Sequence, residues 1–301
     1  MQNSSGTINI MSKACYKAAA ATARDFNELW HLQVSKKSLH DFVSSADIKA
    51  EKSIINELKK FNPAYHFLVE ESGYIAPTQI LHPGDAKHSV QYCWVVDPID
   101  GTSNFIRGNP HFAISIALEK FSYNESFIAT PSAMHSLDDF IRSTCNNEII
   151  AGVIYLPVKQ ELYWAEKGQG AYHIDVNNHQ TRIRVALRSQ IDNLLSATVM
   201  PSNPSPKYDK LFKNLQQHHT KFRISGSIAM DLAYLASGRY DMLFLDHMRR
   251  WDIAAGMVIL QEAGGTIVAL NEGKIQQNMI YNGIIAANEE LVMKLSGDFS
   301  A

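Results

Sequence analysis

Residues 92–105 read YCWVVDPIDGTSNF. Tyr92 to Val96 is an aromatic and β-branched run, the composition of a buried strand, and it delivers Asp97 to its end. Pro98 presets its own φ and marks a turn, so that Asp97 and Asp100 can point the same way with the Ile99 carbonyl beside them. Such hard oxygens suit Mg2+ better than zinc, because magnesium takes carboxylate, carbonyl and water in octahedral geometry. Gly101, Thr102 and Ser103 then place small residues and free backbone N–H groups at the start of a short helix or turn, a position suited to a phosphate. Asp, Pro and Gly also build plain surface turns, and the stretch taken alone reads equally well as one.

Its neighbours shift that balance. HFLVEESG (66–73) puts Glu70 and Glu71 at the end of a second apolar strand, where adjacent acids are costly unless solvated, hydrogen-bonded or metal-bound. RRWDIAAGMVILQEAGG (249–265) sets Asp252 at the start of a helix whose Ile253, Met257 and Leu260 can face a core. For Asp252, and for Asp47 ahead of its own helix, the ordinary alternative is an N-cap. Acids at the ends of three separate segments are what a phosphoryl-transfer site with several metal ions requires.

Working outward, INIMSKACYKAAAATARDFNELW (8–30) places Ile8, Met11, Cys15, Ala18, Ala19, Thr22 and Phe26 at steps of three and four, which predicts an amphipathic helix covering a sheet or meeting another subunit. A second helix is expected after Asp47 through IKAEKSIINELKKF, with Ile48, Ile54, Ile55, Leu58 and Phe61 inward and Pro63 ending it. HFLVEE, YCWVVD, HFAISIALEK, EIIAGVIYLP and ELYWAEKG predict a mostly antiparallel sheet. Beyond about residue 190, SATVMP, YDKLFKNLQQH, KFRIS, IAMDLAYLASG, MLFLD, IAAGMVILQEAGG, TIVAL and IIAAN alternate as a layered α/β unit. No linker separates the halves, so a single domain over 1–301 is expected, with an N-terminal half of about 1–190 and a C-terminal half of about 191–301.

Composition narrows the function classes. The 301 residues are 46% hydrophobic and 19% charged, ordinary globular values. A net charge of −2 supplies no field for nucleic acid or anionic lipid. Three cysteines without CxxC spacing suit a reducing compartment. With no signal-peptide pattern and no apolar run long enough to span a bilayer, a cytoplasmic protein without membrane contact is expected.

HFLVEESG, WVVDPIDGTSNF and WDIAAGMVILQEAGG resemble the three signature segments of the inositol monophosphatase family. The likeness continues through DFVSSADIKAEKSI, GVIYLPVKQELYWAEKGQGAY and FRISGSIAMDLAYLASGRYD, and is strongest to the bacterial SuhB-type branch. It implies an αβαβα layered sandwich, usually a homodimer, hydrolysing phosphate monoesters with two or three Mg2+ ions and inhibited by lithium. Glu70, Asp97, the Ile99 carbonyl, Asp100 and Asp252 match the family's metal ligands, with Asp97 bridging two ions. Thr102 and Asp47 match the pair that, with Glu70, orients and deprotonates the attacking water. The Gly101 and Thr102 N–H groups match a phosphate cradle, and Arg223, Gly226 and Ser227 match contacts to the sugar-like part of the substrate.

Two departures stand out. The family's hydroxyl-binding acid falls seven positions before Asp252, where this chain has Leu245 followed by Asp246. Either a local shift brings Asp246 into that role, or the hydroxyl contact is absent and substrate choice differs; the plain reading of FLDHMRRWD has Asp246 pairing with Arg249 or Arg250 at the surface. The segment of about 121–147 is longer than a hairpin connection, an insertion that would serve as lid, subunit contact or surface excursion. His111 and His135 are read as packing or exposed residues, since hard-ion sites rarely use histidine. The expected substrate is inositol-1-phosphate. The rivals are fructose-1,6-bisphosphate, histidinol phosphate and 3'-phosphoadenosine 5'-phosphate, or a mainly regulatory role through a protein partner.

Overall fold

A computed structural model describes residues 4–32, 39–77, 90–123, 144–270 and 280–297. Two long helices come first, α1 (Gly6–Leu32) and α2 (Leu39–Leu58). The stripe read from the sequence is the buried face of α1: Ile8, Met11, Cys15, Ala18, Ala19 and Thr22 are all covered. In α2 the pattern holds at Ile54, Ile55 and Leu58 but not at exposed Ile48, and the helix ends at Leu58, before the exposed Phe61 and before Pro63. The helix also starts earlier than expected. Asp47 therefore lies within it, buried, and is not its N-cap.

The first sheet runs β2-β1-β3-β4-β5-β6-β7-β8. Its strands are β1 (His66–Val69), β2 (Gly73–Ile75), β3 (Gln91–Asp100), β4 (Ala113–Tyr123), β5 (Thr144–Leu156), β6 (Glu161–Glu166), β7 (Gly170–Ile174) and β8 (Gln180–Arg182). It is antiparallel except for the parallel β1–β3 pair. The short helix α3 (Thr102–Ile106) follows β3 directly. The second sheet, β10-β9-β11-β13-β12, contains β9 (Leu195–Thr198), β10 (Lys221–Arg223), β11 (Met242–Arg249), β12 (Gly265–Ala269) and β13 (Ile280–Asn288). Here β10, β9 and β11 are parallel, and β13 runs antiparallel to both of its neighbours, β11 and β12. Four helices accompany it: α4 (Pro206–Gln217), α5 (Ile228–Ala236), α6 (Arg250–Glu262) and α7 (Glu289–Gly297).

The arrangement is a layered α+β fold. Helices α1 and α2 cover one face of the first sheet, α5 and α6 lie between the sheets, and α4 and α7 pack on the outer face of the second. This explains why β3 reads as a continuous apolar run rather than an alternating one, since both of its faces are covered by helices. Trp94 and Val96 join the cluster under α1 and α2, while Cys93 and Val95 join the one against α5 and α6. The sandwiched α6 is buried nearly all round rather than on one stripe, with Ile253, Ala254, Ala255, Gly256, Val258, Ile259 and Leu260 covered. Its close approach to β5 needs Gly152, where a Cβ would fall 2.7 Å from the Ala255 carbonyl oxygen.

The body of the expected insertion, residues 124–143 with His135, lies outside the described residues.

Candidate active site

The site forms where β1 and β3 end, on the face toward the middle helices. In a regular strand residues three apart point to opposite faces. Asp97 and Asp100 escape that rule because the DPID segment is not a turn, as expected, but a bulge within β3. Asp97 pairs with Ser115 and Asp100 with Ala113, so three steps on one strand oppose two on the other. The extra residue resets the alternation: Ile99 packs under α1 and α2, and the two carboxylates share the opposite face. Asp97 tightens the bulge by accepting the Ile99 N–H at 3.0 Å.

Asp252 comes from the second sequence half. It occupies the third position of α6 and is not the N-cap; its carboxylate reaches back to the Arg249 N–H at 2.7 Å. Oxygens of Asp97, Asp100 and Asp252 all lie within 4.8 Å of one another. Glu70 follows β1 and stands beside Asp97, near enough that each carboxyl shifts the other's titration.

Burial is the first cause of an upward pKa shift in every one of these groups. Asp97 is pushed well above the carboxylate range, and repulsion from Glu70, Asp100 and Asp252 adds to the effect. Glu70 and Asp100 are raised to about 7. Asp252 is raised to about 6. Asp47 is raised to about 7 by burial and then by Glu71, Glu70 and Glu51, which places it beside the same cluster. Packed hard-oxygen donors that resist ionisation are chemically matched to a divalent cation, whose charge offsets their repulsion.

Beyond the bulge, Gly101 takes φ 98° and ψ 37°, the left-handed region, as the N-cap of α3. A Cβ there would lie 2.9 Å from the His111 carbonyl oxygen and 3.2 Å from that of Gly226. The Thr102 hydroxyl donates to the Ile99 carbonyl at 3.1 Å. Gly226 brings its loop against Gly101, while Arg223 at the end of β10 is exposed. Ser227 is fully buried, and its hydroxyl donates to Asp100 at 2.5 Å, so any effect on a substrate passes through that carboxylate.

Asp246 is also buried, which removes the expected surface pairing with Arg249 or Arg250. Its two oxygens accept the Ser205 N–H at 2.7 Å and hydroxyl at 2.6 Å. Arg250 instead forms a buried ion pair with Glu119. Leu245 packs in the core.

Sequence reasoning missed two supporting groups. The Ala229 N–H, in the first turn of α5, donates to Asp100 at 2.7 Å. The Asn104 amide donates to the His111 carbonyl at 2.6 Å and the Ser225 carbonyl at 2.8 Å, stitching α3 to the Gly226 loop. Asn104 lay within the deciding stretch, but no local signal names partners so distant in the chain.

Fold and site together define a layered α+β protein with a carboxylate cluster able to hold a metal at the strand ends. The chain belongs to the inositol monophosphatase family, whose sequence profile matches residues 4–125 and 143–299. The unmatched residues 126–142 fall within the segment read as an insertion. Membership supports phosphomonoesterase chemistry. The inositol-1-monophosphatase of Caulobacter vibrioides is 36% identical over 286 residues, 93% of this chain and 96% of that one. The Nus factor SuhB of Escherichia coli K12 is 32% identical over 288 residues, covering 95% and 92%. Among solved structures, the native extragenic suppressor protein suhB of Bartonella henselae is 36% identical with a TM-score of 0.73, covering 98% of each chain. Among the described residues no helix is long and apolar enough to cross a membrane.

Proposed function

We propose that this protein is a Mg2+-dependent phosphomonoesterase that converts inositol-1-phosphate to myo-inositol and phosphate, working in the cytoplasm as a lithium-sensitive homodimer. The observation carrying this reading is the convergence of Asp97, Asp100 and Asp252 oxygens within 4.8 Å beside the left-handed Gly101 turn. The match to inositol-1-monophosphatases supports the substrate.

In this reading Glu70, Asp97, the Ile99 carbonyl, Asp100 and Asp252 hold two or three Mg2+ ions. When bound, these ions supply Lewis acidity toward the phosphoryl oxygens and toward water. Glu70, Asp47 and Thr102 orient the attacking water in line with the departing ester oxygen. The Gly101 and Thr102 N–H groups bind phosphoryl oxygens, Arg223 and Gly226 meet the polyol, and Ser227 acts through its hydrogen bond to Asp100. Of the two residues at the hydroxyl-recognition position only Asp246 carries side-chain oxygen, and Ser205 already engages it. Tolerance of other phosphate esters is therefore expected.

Phosphate release from inositol, fructose, histidinol and adenosine phosphates, with Mg2+, with EDTA and with lithium, tests this reading. Fast Mg2+-dependent release from inositol-1-phosphate supports it. Preference for fructose-1,6-bisphosphate, histidinol phosphate or 3'-phosphoadenosine 5'-phosphate moves the substrate and keeps the chemistry. Relatives named as Nus factors favour a second, regulatory reading through a protein partner. Capture of the same partner by wild type and Asp100→Asn would support that role independently of turnover.

A further inference from the structure

The turn that carries Glu70 is fastened by a residue outside the signature segments. Glu51 lies on α2 one helical turn after Asp47, so the two project from the same side of the helix. Its side chain is buried. One carboxylate oxygen accepts the N–H groups of Glu71 at 3.0 Å and Ser72 at 3.3 Å, and the other accepts the Ser72 hydroxyl. On its other side the turn is tied by the Glu70 N–H, which donates to the Val96 carbonyl at 3.2 Å. Glu70 is thereby held between the helix that bears Asp47 and the strand that bears Asp97.

A neutral acceptor would hold a turn without adding charge to an acidic site. Glu51 does add it, standing close enough to repel both Asp47 and Glu70. What a carboxylate offers in exchange is a pair of charge-assisted bonds to main-chain donors, which fix backbone position more firmly than neutral ones. We propose that Glu51 is a positioning residue, setting where Glu70 stands relative to Asp47 and Asp97 through the Glu71–Ser72 backbone. This inference rests on the reading of Glu70 as a cation ligand.

The full chain titrated with Mn2+, read by the ion's paramagnetic resonance signal, tests it alongside kcat, KM and thermal unfolding. Glu51→Gln keeps the size and can leave its amide oxygen on the two N–H groups with its NH2 toward the Ser72 hydroxyl, but it removes the charge from those bonds. It should weaken Mn2+ binding about 10–100-fold, the range for residues that orient metal ligands, and lower kcat while leaving KM for the ester unchanged. Glu51→Asp should recover part of the loss. Ser72→Ala should show a smaller loss of the same kind, and decides the matter if Glu51→Gln does not fold. A folded Glu51→Gln, or in its absence Ser72→Ala, with wild-type Mn2+ affinity and kcat would overturn the positioning role even if its melting temperature fell. Wild type failing to bind Mn2+ would overturn the cation site itself, and this inference with it.

Discussion

The protein buries carboxylates in two contrasting ways. Glu57 on α2 is surrounded by Lys13, Lys17 and Lys60 at 2.8, 2.5 and 2.8 Å, and these lysines hold its pKa far below the usual range. Glu119 on β4 has Arg250. At the end of β3, by contrast, Asp97 and Asp100 are buried among other acids, and their pKa values rise. Charges with built-in partners serve the fold, whereas the cluster without them stores repulsion that a cation can relieve.

The largest effect is expected from Asp97→Asn. It should lower Mg2+-dependent phosphate release by orders of magnitude while leaving the apo protein at least as stable, because it removes a repelling group. Melting temperature and turnover measured on the same preparation check both halves. On the partnered side, Arg250→Met alone should destabilise the fold by about 3–5 kcal/mol by stranding Glu119, and Glu119→Leu added to it should restore most of that. Denaturant unfolding of the single and double variants decides.

The third expectation concerns pH. Glu70, Asp47 and Asp100 are raised to about 7 in the folded state and Asp252 to about 6, from ordinary values near 4 when unfolded. The folded protein therefore binds protons more tightly than the unfolded chain. The stability this contributes is complete below about pH 4 and is lost as pH rises through about 7. Without divalent cations the melting temperature should fall between pH 5 and pH 8, and added Mg2+ should raise it more at pH 8. Equal increments at both values would break the link between repulsion and cation binding. The smallest effect belongs to Lys13→Ala. That exposed member of the Glu57 cluster should contribute at most about 1 kcal/mol, visible only in careful unfolding curves.

Much of this was legible in the chain. The apolar strand residues Tyr92 to Val96, the helix stripe of α1 and the order of elements after residue 190 follow from period and turn chemistry, which are local properties. The bulge at Asp97–Asp100 was misread as a turn. Proline and aspartate favour both, and only the pairing with Ser115 and Ala113 distinguishes them. Asp47 was misplaced for a related reason: a capping residue suggests a helix start, yet α2 begins at Leu39. The Leu245–Asp246 pair likewise left its outcome open until Ser205, 41 residues away, proved to engage the acid.

By itself, the sequence determined which acids stand at the ends of apolar segments, because burial and backbone geometry within a few residues dictate strand, helix and turn. Tertiary structure alone decided which acids share a site and which are neutralised. Ser227 reaches Asp100 across 127 residues, and Arg250 in the middle layer finds Glu119 on the first sheet. Such partnerships depend on how layers stack, and a carboxylate carries no local mark of the partner it will meet.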